Sequence, residues 1–166
     1  MSPAVAERAG VPVLSGGRTA VFFAVCVLSA VLLEDPLEIA GAAPDFLVIA
    51  LVYGAIRWGA AAGSALGFAL GIFRDTLYLL DFGIHALGMT ALGYVIGKLR
   101  DTLYLSARAV DLLLLAGTKV VIDVLVLGAA AEGAWTAFEM RFFWEAPLAA
   151  LYTTVVGAVL YRLLAR

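Results

Sequence analysis

Residues 59–73 read GAAAGSALGFALGIF, and this stretch decides the fold class. Glycine recurs in it at every fourth position: Gly59, Gly63, Gly67 and Gly71. In an α-helix this spacing places the four glycines on one face, where the absence of Cβ atoms lets a neighbouring helix approach closely. Such faces are typical of helices that associate in lipid. The stretch therefore predicts a packed membrane helix, and we call these four residues the glycine ladder.

The composition of the whole chain agrees with a membrane location. Of the 166 residues, 64% are hydrophobic and 14% are charged, whereas about 25% are charged in soluble domains. Charged and Pro/Gly-rich breaks divide the chain into six apolar runs. We predict an all-α integral membrane protein with one domain, a bundle of six transmembrane helices. The predicted helices cover about residues 19–33, 44–57, 59–74, 83–98, 109–131 and 142–164.

Six such helices restrict the function of the chain. The second and third are short for a bilayer of roughly 30 Å, so we expect neighbouring helices to shield them. No room remains within this chain for a separate soluble domain of about 50 residues or more. No phosphate-binding glycine loop of the nucleotide-binding types is present. We therefore predict no extramembrane catalytic domain, no cofactor and no binding to nucleic acid.

Basic residues predict the orientation, because cytoplasmic loops carry an excess of Lys and Arg. With a cytoplasmic N-terminus, the inner segments hold eight basic residues, whereas the outer segments hold only Arg74 and Arg141. Both termini, including an N-terminal segment of residues 1–18, are therefore predicted to be cytoplasmic. Acidic residues concentrate in the segments predicted to be outside.

Lys119 and Asp123 lie four positions apart within the predicted fifth helix. Charges at membrane depth are costly and are expected to pair and to face the bundle interior. The spacing allows them to pair along one helix. Two interpretations remain, a structural internal pair, which we favour, and a substrate or proton site.

Asp75, Asp81 and His85 lie around the second outer loop. A zinc site wants three or four convergent ligands, and His85 is the only histidine, so we predict no metal site. A hydrogen-bonding role at the interface is favoured for His85. No G-x-S-x-G nucleophile motif is present, and an intramembrane enzyme would need convergent polar groups on facing helices. We predict no catalytic residues.

Residues 44–98 read PDFLVIALVYGAIRWGAAAGSALGFALGIFRDTLYLLDFGIHALGMTALGYVIGK and resemble the MreD family of bacterial rod shape-determining proteins. The matching features are Pro44-Asp45, Tyr53 and Arg57 before the glycine ladder, Asp75 after it, and residues 83–87 leading to Gly93-Tyr94. One departure is Arg74, where the family usually has an apolar residue.

The resemblance implies a multi-pass protein of the bacterial cytoplasmic (inner) membrane, which serves the machinery for cell elongation and peptidoglycan synthesis as a non-enzymatic scaffold or regulator. Its implied partners are an MreC-like single-span protein and, functionally, MreB, the RodA glycosyltransferase and a penicillin-binding transpeptidase. The implied fold is similar to that of the substrate-binding subunits of energy-coupling-factor transporters.

These observations leave three uses for the glycine ladder: binding the transmembrane helix of the MreC-like partner, forming a homodimer, or packing against another helix of the same chain. The second hypothesis for the function is a small-molecule-binding subunit of a transporter. Its cavity would open outward between Asp75, Asp81, His85 and Lys119, and it would need roughly 300 Å³ or more for a vitamin-sized ligand.

Overall fold

The structure is a computed structural model, and it describes residues 16–34, 36–39, 41–77, 83–103, 108–130 and 135–164. These residues form six α-helices and no β-strand, which confirms the all-α prediction. The helices are α1 (Gly16–Leu32), α2 (Phe46–Trp58), α3 (Ala60–Leu77), α4 (Ile84–Leu103), α5 (Arg108–Ala130) and α6 (Trp135–Leu164). Most of the predicted N-terminal segment, residues 1–15, lies outside this description.

Two helices extend five residues or more beyond the predicted bounds. Helix α4 continues past the predicted end at residue 98 to Leu103, with Arg100 in its last turn. Basic side chains are favourable at that end because the helix dipole is negative there. Helix α6 begins at Trp135 instead of residue 142 and contains Pro147. Charged residues thus mark the limits of the apolar runs but not the ends of these helices.

Helix α2 is the centre of the bundle and packs against all five other helices. Every residue from Phe46 to Ile56 is buried. A helix that is apolar on all sides is suited to such a position. The expected shielding of this short helix by its neighbours is therefore present.

The outer surface of the bundle carries large apolar side chains. Leu113, Phe143 and Trp144 are 72%, 69% and 76% exposed. Within the described residues, one helical segment, Phe143–Leu163, is long and apolar enough by length and composition to cross a membrane, whereas α1 and α2 are apolar but shorter. Membrane crossing by the other five helices stays a prediction.

Candidate functional site

A cavity of about 220 Å³ lies at the end of the bundle where α1 ends and α2 begins. We call it the charged cavity, because six of its lining residues are ionisable. They come from the α1–α2 connection, the end of α3, the middle of α5 and the first half of α6. These residues are Glu34, Asp45, Arg74, Lys119, Asp123 and Glu145.

Five of these side chains form a chain of alternating charge. Arg74 Nη1 lies 2.5 Å from Glu34 Oε2, and Arg74 Nη2 lies 3.9 Å from Asp45 Oδ2. Lys119 Nζ lies 3.6 Å from that same Asp45 oxygen and 2.5 Å from Asp123 Oδ1. Each of the two cations therefore contacts two carboxylates, which offsets the cost of burying it. This series of side chains begins with Glu34 and ends with Asp123, so both of its ends are acids.

Local sequence chemistry positions Asp45 at the middle of this chain. Asp45 is the N-cap of α2, and its Oδ1 accepts a hydrogen bond of 3.1 Å from the Val48 N–H. Its own N–H donates to Thr153 Oγ1 of α6 at 3.0 Å. The cap holds Oδ1, so Oδ2 remains to face Arg74 and Lys119. One side chain thus starts a helix and also bridges two cations.

The two acids at the ends of this series of charged side chains carry unused hydrogen-bond acceptors. Glu34 Oε1 and Asp123 Oδ2 are buried and have no hydrogen-bond partner among the described residues. Buried acceptors of this kind are uncommon, because an unmade hydrogen bond costs about 1–3 kcal/mol. Burial and the neighbouring Asp45 raise the pKa of Glu34 to about 7, although Arg74 opposes the shift.

Asp75 belongs to a separate polar site beside the charged cavity. It is 1% exposed, and its Oδ2 accepts hydrogen bonds from the Gly83 and Ala86 N–H groups, both at 3.0 Å. Its Oδ1 accepts from the His85 N–H at 3.3 Å and lies 3.0 Å from His85 Nδ1. These contacts satisfy the free N–H groups at the start of α4. Asp75 therefore acts as a cap, and His85 hydrogen-bonds within the same site.

The structure divides the polar residues that the sequence indicated into two groups. Lys119 and Asp123 pair with each other and line the charged cavity, whereas Asp75 and His85 form the cap. Asp81 lies outside the described residues. Among the described residues, no group of three or more His, Cys, Asp or Glu side chains is arranged to hold a metal ion.

Sequence reasoning missed four residues of the charged cavity. In the sequence, Asp45 belongs only to the features that match the family, and Arg74 is a departure from the family pattern and one of the two basic residues of the outer segments. Glu34 and Glu145 were treated as acids of the outer segments. A signal was present, because two cations placed near membrane depth require more carboxylates than Asp123 alone.

Three glycines of the ladder lie between α3 and α4. A Cβ added at Gly63 would lie 2.5 Å from the Gly93 carbonyl oxygen, at Gly67 it would meet the Met89 backbone, and at Gly71 the Ala86 backbone. Gly59 ends α2 with a φ of 83°, a conformation that favours glycine. In this conformation helix α4 of the same chain covers the face formed by the other three.

The charged cavity is too small for the vitamin-sized ligand of the transporter hypothesis. Its volume of about 220 Å³ falls below the roughly 300–1,000 Å³ typical of pockets for drug-sized molecules. Of the described residues that the hypothesis named, only Lys119 lines this cavity. No second function is therefore proposed.

An all-helical bundle with apolar side chains on its surface and buried charges at one end is typical of helical membrane proteins. A family model described as rod shape-determining protein MreD matches residues 17–165, nearly the whole chain. The chain belongs to the MreD family, which confirms the resemblance of residues 44–98. Neither the curated proteins nor the solved structures gave a match, so the likeness to energy-coupling-factor subunits stays a prediction. Membership assigns the chain to rod shape determination and to a family of membrane proteins without a catalytic role.

Proposed function

We propose that this protein is a multi-pass scaffold of the bacterial inner membrane that binds the transmembrane helix of an MreC-like single-span partner. The observation that carries the proposal is the family match over residues 17–165. The excess of Lys and Arg in the predicted inner segments supports cytoplasmic termini. Short connections between the helices make the helix faces the main surface for a partner.

The partner helix needs a face that the chain itself leaves open. The glycine ladder would receive it only if α4 moved away, because the α4 backbone lies against Gly63, Gly67 and Gly71. The outer side of α3 is open, because Ala61, Ala65 and Ala69 are exposed at i, i+4 spacing. Small residues at this spacing allow close helix contacts in lipid. We therefore place the partner on this alanine face of α3.

The experiment compares the substitution Ala65→Phe on α3 with the same change at an exposed alanine of α1. The full-length chain is co-expressed with its MreC-like partner and purified from membranes through a tag on one of them. Ala65→Phe should reduce the co-purified partner about tenfold, which corresponds to roughly 1.4 kcal/mol. The matched variant Ala24→Phe, also on an exposed surface, should bind as the wild type does.

Two outcomes would contradict two different parts of the proposal, the alanine face as the binding surface and the binding of a partner. Equal recovery of the partner with both variants would remove the alanine face as the binding surface. Failure of the wild-type pair to co-purify would contradict partner binding itself.

A further inference from the structure

The charged cavity contains more acids than bases. Glu34, Asp45, Asp123 and Glu145 line it together with two cations, Arg74 and Lys119. Each cation already contacts two of the carboxylates. Glu145 has an interaction of its own, and without it the three remaining acids, when ionised, exceed the two cations by one. An added cation would balance this charge, whereas an added anion would increase the imbalance.

Two buried carboxylate oxygens of the cavity have the same preference. The two buried atoms Glu34 Oε1 and Asp123 Oδ2 are acceptors, so they need a donor. Glu34 is 5% exposed, and burial makes an unmet acceptor there costly. A positively charged N–H group supplies both a donor and the missing charge.

The volume and the apolar part of the lining limit the size of this donor. A cavity of about 220 Å³ corresponds to about seven water molecules at the share of roughly 30 Å³ that water has in the liquid. Val126, Leu127 and Ala149 also line the cavity. These side chains suit the methylene stem that Lys and Arg side chains carry.

We propose that the charged cavity binds one organic cation, an ammonium or guanidinium group on a short aliphatic stem. Glu34 and Asp123 accept hydrogen bonds from its N–H groups, and the apolar lining contacts its stem. The cation is either a free small molecule or a Lys or Arg side chain of a partner that docks at this end of the bundle. The second source rests on the proposed function, and the first does not.

Binding is tested with n-butylammonium and n-butylguanidinium chloride on the full-length chain purified in detergent, at a pH well above the Glu34 pKa of about 7. Calorimetric titration measures the binding directly, because a single site fills in a saturable manner whereas the heat of dilution does not saturate. We expect saturation with both cations, beyond the effect of sodium chloride at equal ionic strength. Sodium butyrate and n-butanol, which carry the same stem without the positive charge, should not produce it.

Matched variants locate the binding. Glu34→Gln should weaken binding roughly tenfold or more, because one charge-assisted hydrogen bond is lost. Glu38→Gln, at an exposed acid four residues further along, should leave binding unchanged. If Glu34→Gln does not fold, Asp123→Asn tests the other acid that has an unused oxygen. Equal binding by the cavity variants and Glu38→Gln, no saturation with either cation, or stronger binding of butyrate would overturn the proposal.

The same titration on the complex with the MreC-like partner identifies the source of the cation. If a partner's side chain occupies the cavity, n-butylammonium should bind the complex much more weakly than the isolated chain. Equal binding assigns the cavity to a free small molecule. Titration of the isolated chain does not depend on the partner, so failure of the proposed function would leave it intact.

Discussion

The α3–α4 interface and the charged cavity hold helices together by opposite means. At the interface, Gly63 and Gly67 let two backbones meet with no room for a Cβ atom. At the cavity, Arg74 and Lys119 connect carboxylates by direct contacts, and these residues line about 220 Å³ of open space. The first region is closed and apolar, and its contacts depend on the shape of the backbone.

The difference separates parts that build the fold from parts available for binding. The Asp75 carboxylate has four donors around it, so it offers nothing more to a ligand. Glu34 and Asp123 each keep an unused oxygen. A buried carboxylate is therefore assigned to structure or to binding according to how many of its acceptor positions are already filled.

The largest effect is expected for Lys119→Met. It removes the cation between Asp45 and Asp123, and breaking a buried pair costs about 3–5 kcal/mol. Thermal unfolding in detergent should show a large loss of stability. Lys98→Met, at an exposed lysine of α4, is the control. The double variant Lys119→Met/Asp123→Leu should recover part of the loss, and no recovery would contradict the pairing.

A smaller effect is expected for Gly67→Ala in the closed region. The added Cβ meets the Met89 backbone, and overpacking of this kind costs about 1–3 kcal/mol. Gly117→Ala is the matched control within a helix, because an added Cβ there has nothing within 4 Å. Alanine favours a helix over glycine, so the control should unfold at the wild-type temperature or above. Equal unfolding temperatures of the two variants would show that α3 and α4 are not in close backbone contact.

The cap at the start of α4 should contribute less. Asp75→Asn replaces one acceptor oxygen by an amide that faces the Gly83 or His85 N–H groups. Loss of a cap costs about 0.5–2 kcal/mol. Hydrogen exchange of the first turn of α4 should accelerate more than exchange in α2. Uniform acceleration along the chain would indicate a global effect instead of a local cap.

The smallest effect concerns pH and Glu34. The pKa of Glu34 is about 7 in the folded state against an ordinary value of 4.5, so the folded protein binds this proton more tightly. Its stabilising contribution is present below pH 4.5 and is lost as the pH rises through about 7. The charged neighbours Arg74, Asp45 and Lys119 act on this proton.

The measurement is the difference in unfolding temperature between the wild type and Glu34→Gln. Glutamine does not titrate, so the difference isolates this one group. The wild type should lose stability relative to the variant between pH 4.5 and 7.5. A constant difference over this range would contradict the raised pKa of Glu34.

Features that depend on neighbouring positions were predictable from the sequence. The hydrophobic runs predicted six helices, and the spacing of Lys119 and Asp123 allowed their pair. The glycine ladder indicated a close helix contact, but its spacing does not specify which helix supplies the other side. In the structure, the helix that packs against the ladder is α4 of the same chain.

The charged cavity depends on contacts between distant positions. Glu34 and Arg74 are 40 residues apart, and Asp45 and Thr153 are 108 residues apart. Nothing in the spacing of these residues joins them, because their meeting depends on how the helices pack. The excess of buried charge indicates that such a cluster exists, while its members follow only from the arrangement of the bundle.

The hydrogen bond from the Asp45 N–H to Thr153 Oγ1 has a consequence for biosynthesis. A ribosome adds about 5–20 residues per second, so the 108 residues between the two partners require roughly 5–20 s. Glu34 and Asp45 are synthesised before that interval and Arg74 within it, whereas Thr153 is added only at its end. The start of α2 therefore acquires the Thr153 hydrogen bond only when α6 joins the bundle, and the charged cavity, which Glu145 and Ala149 of α6 line, is completed at the same time.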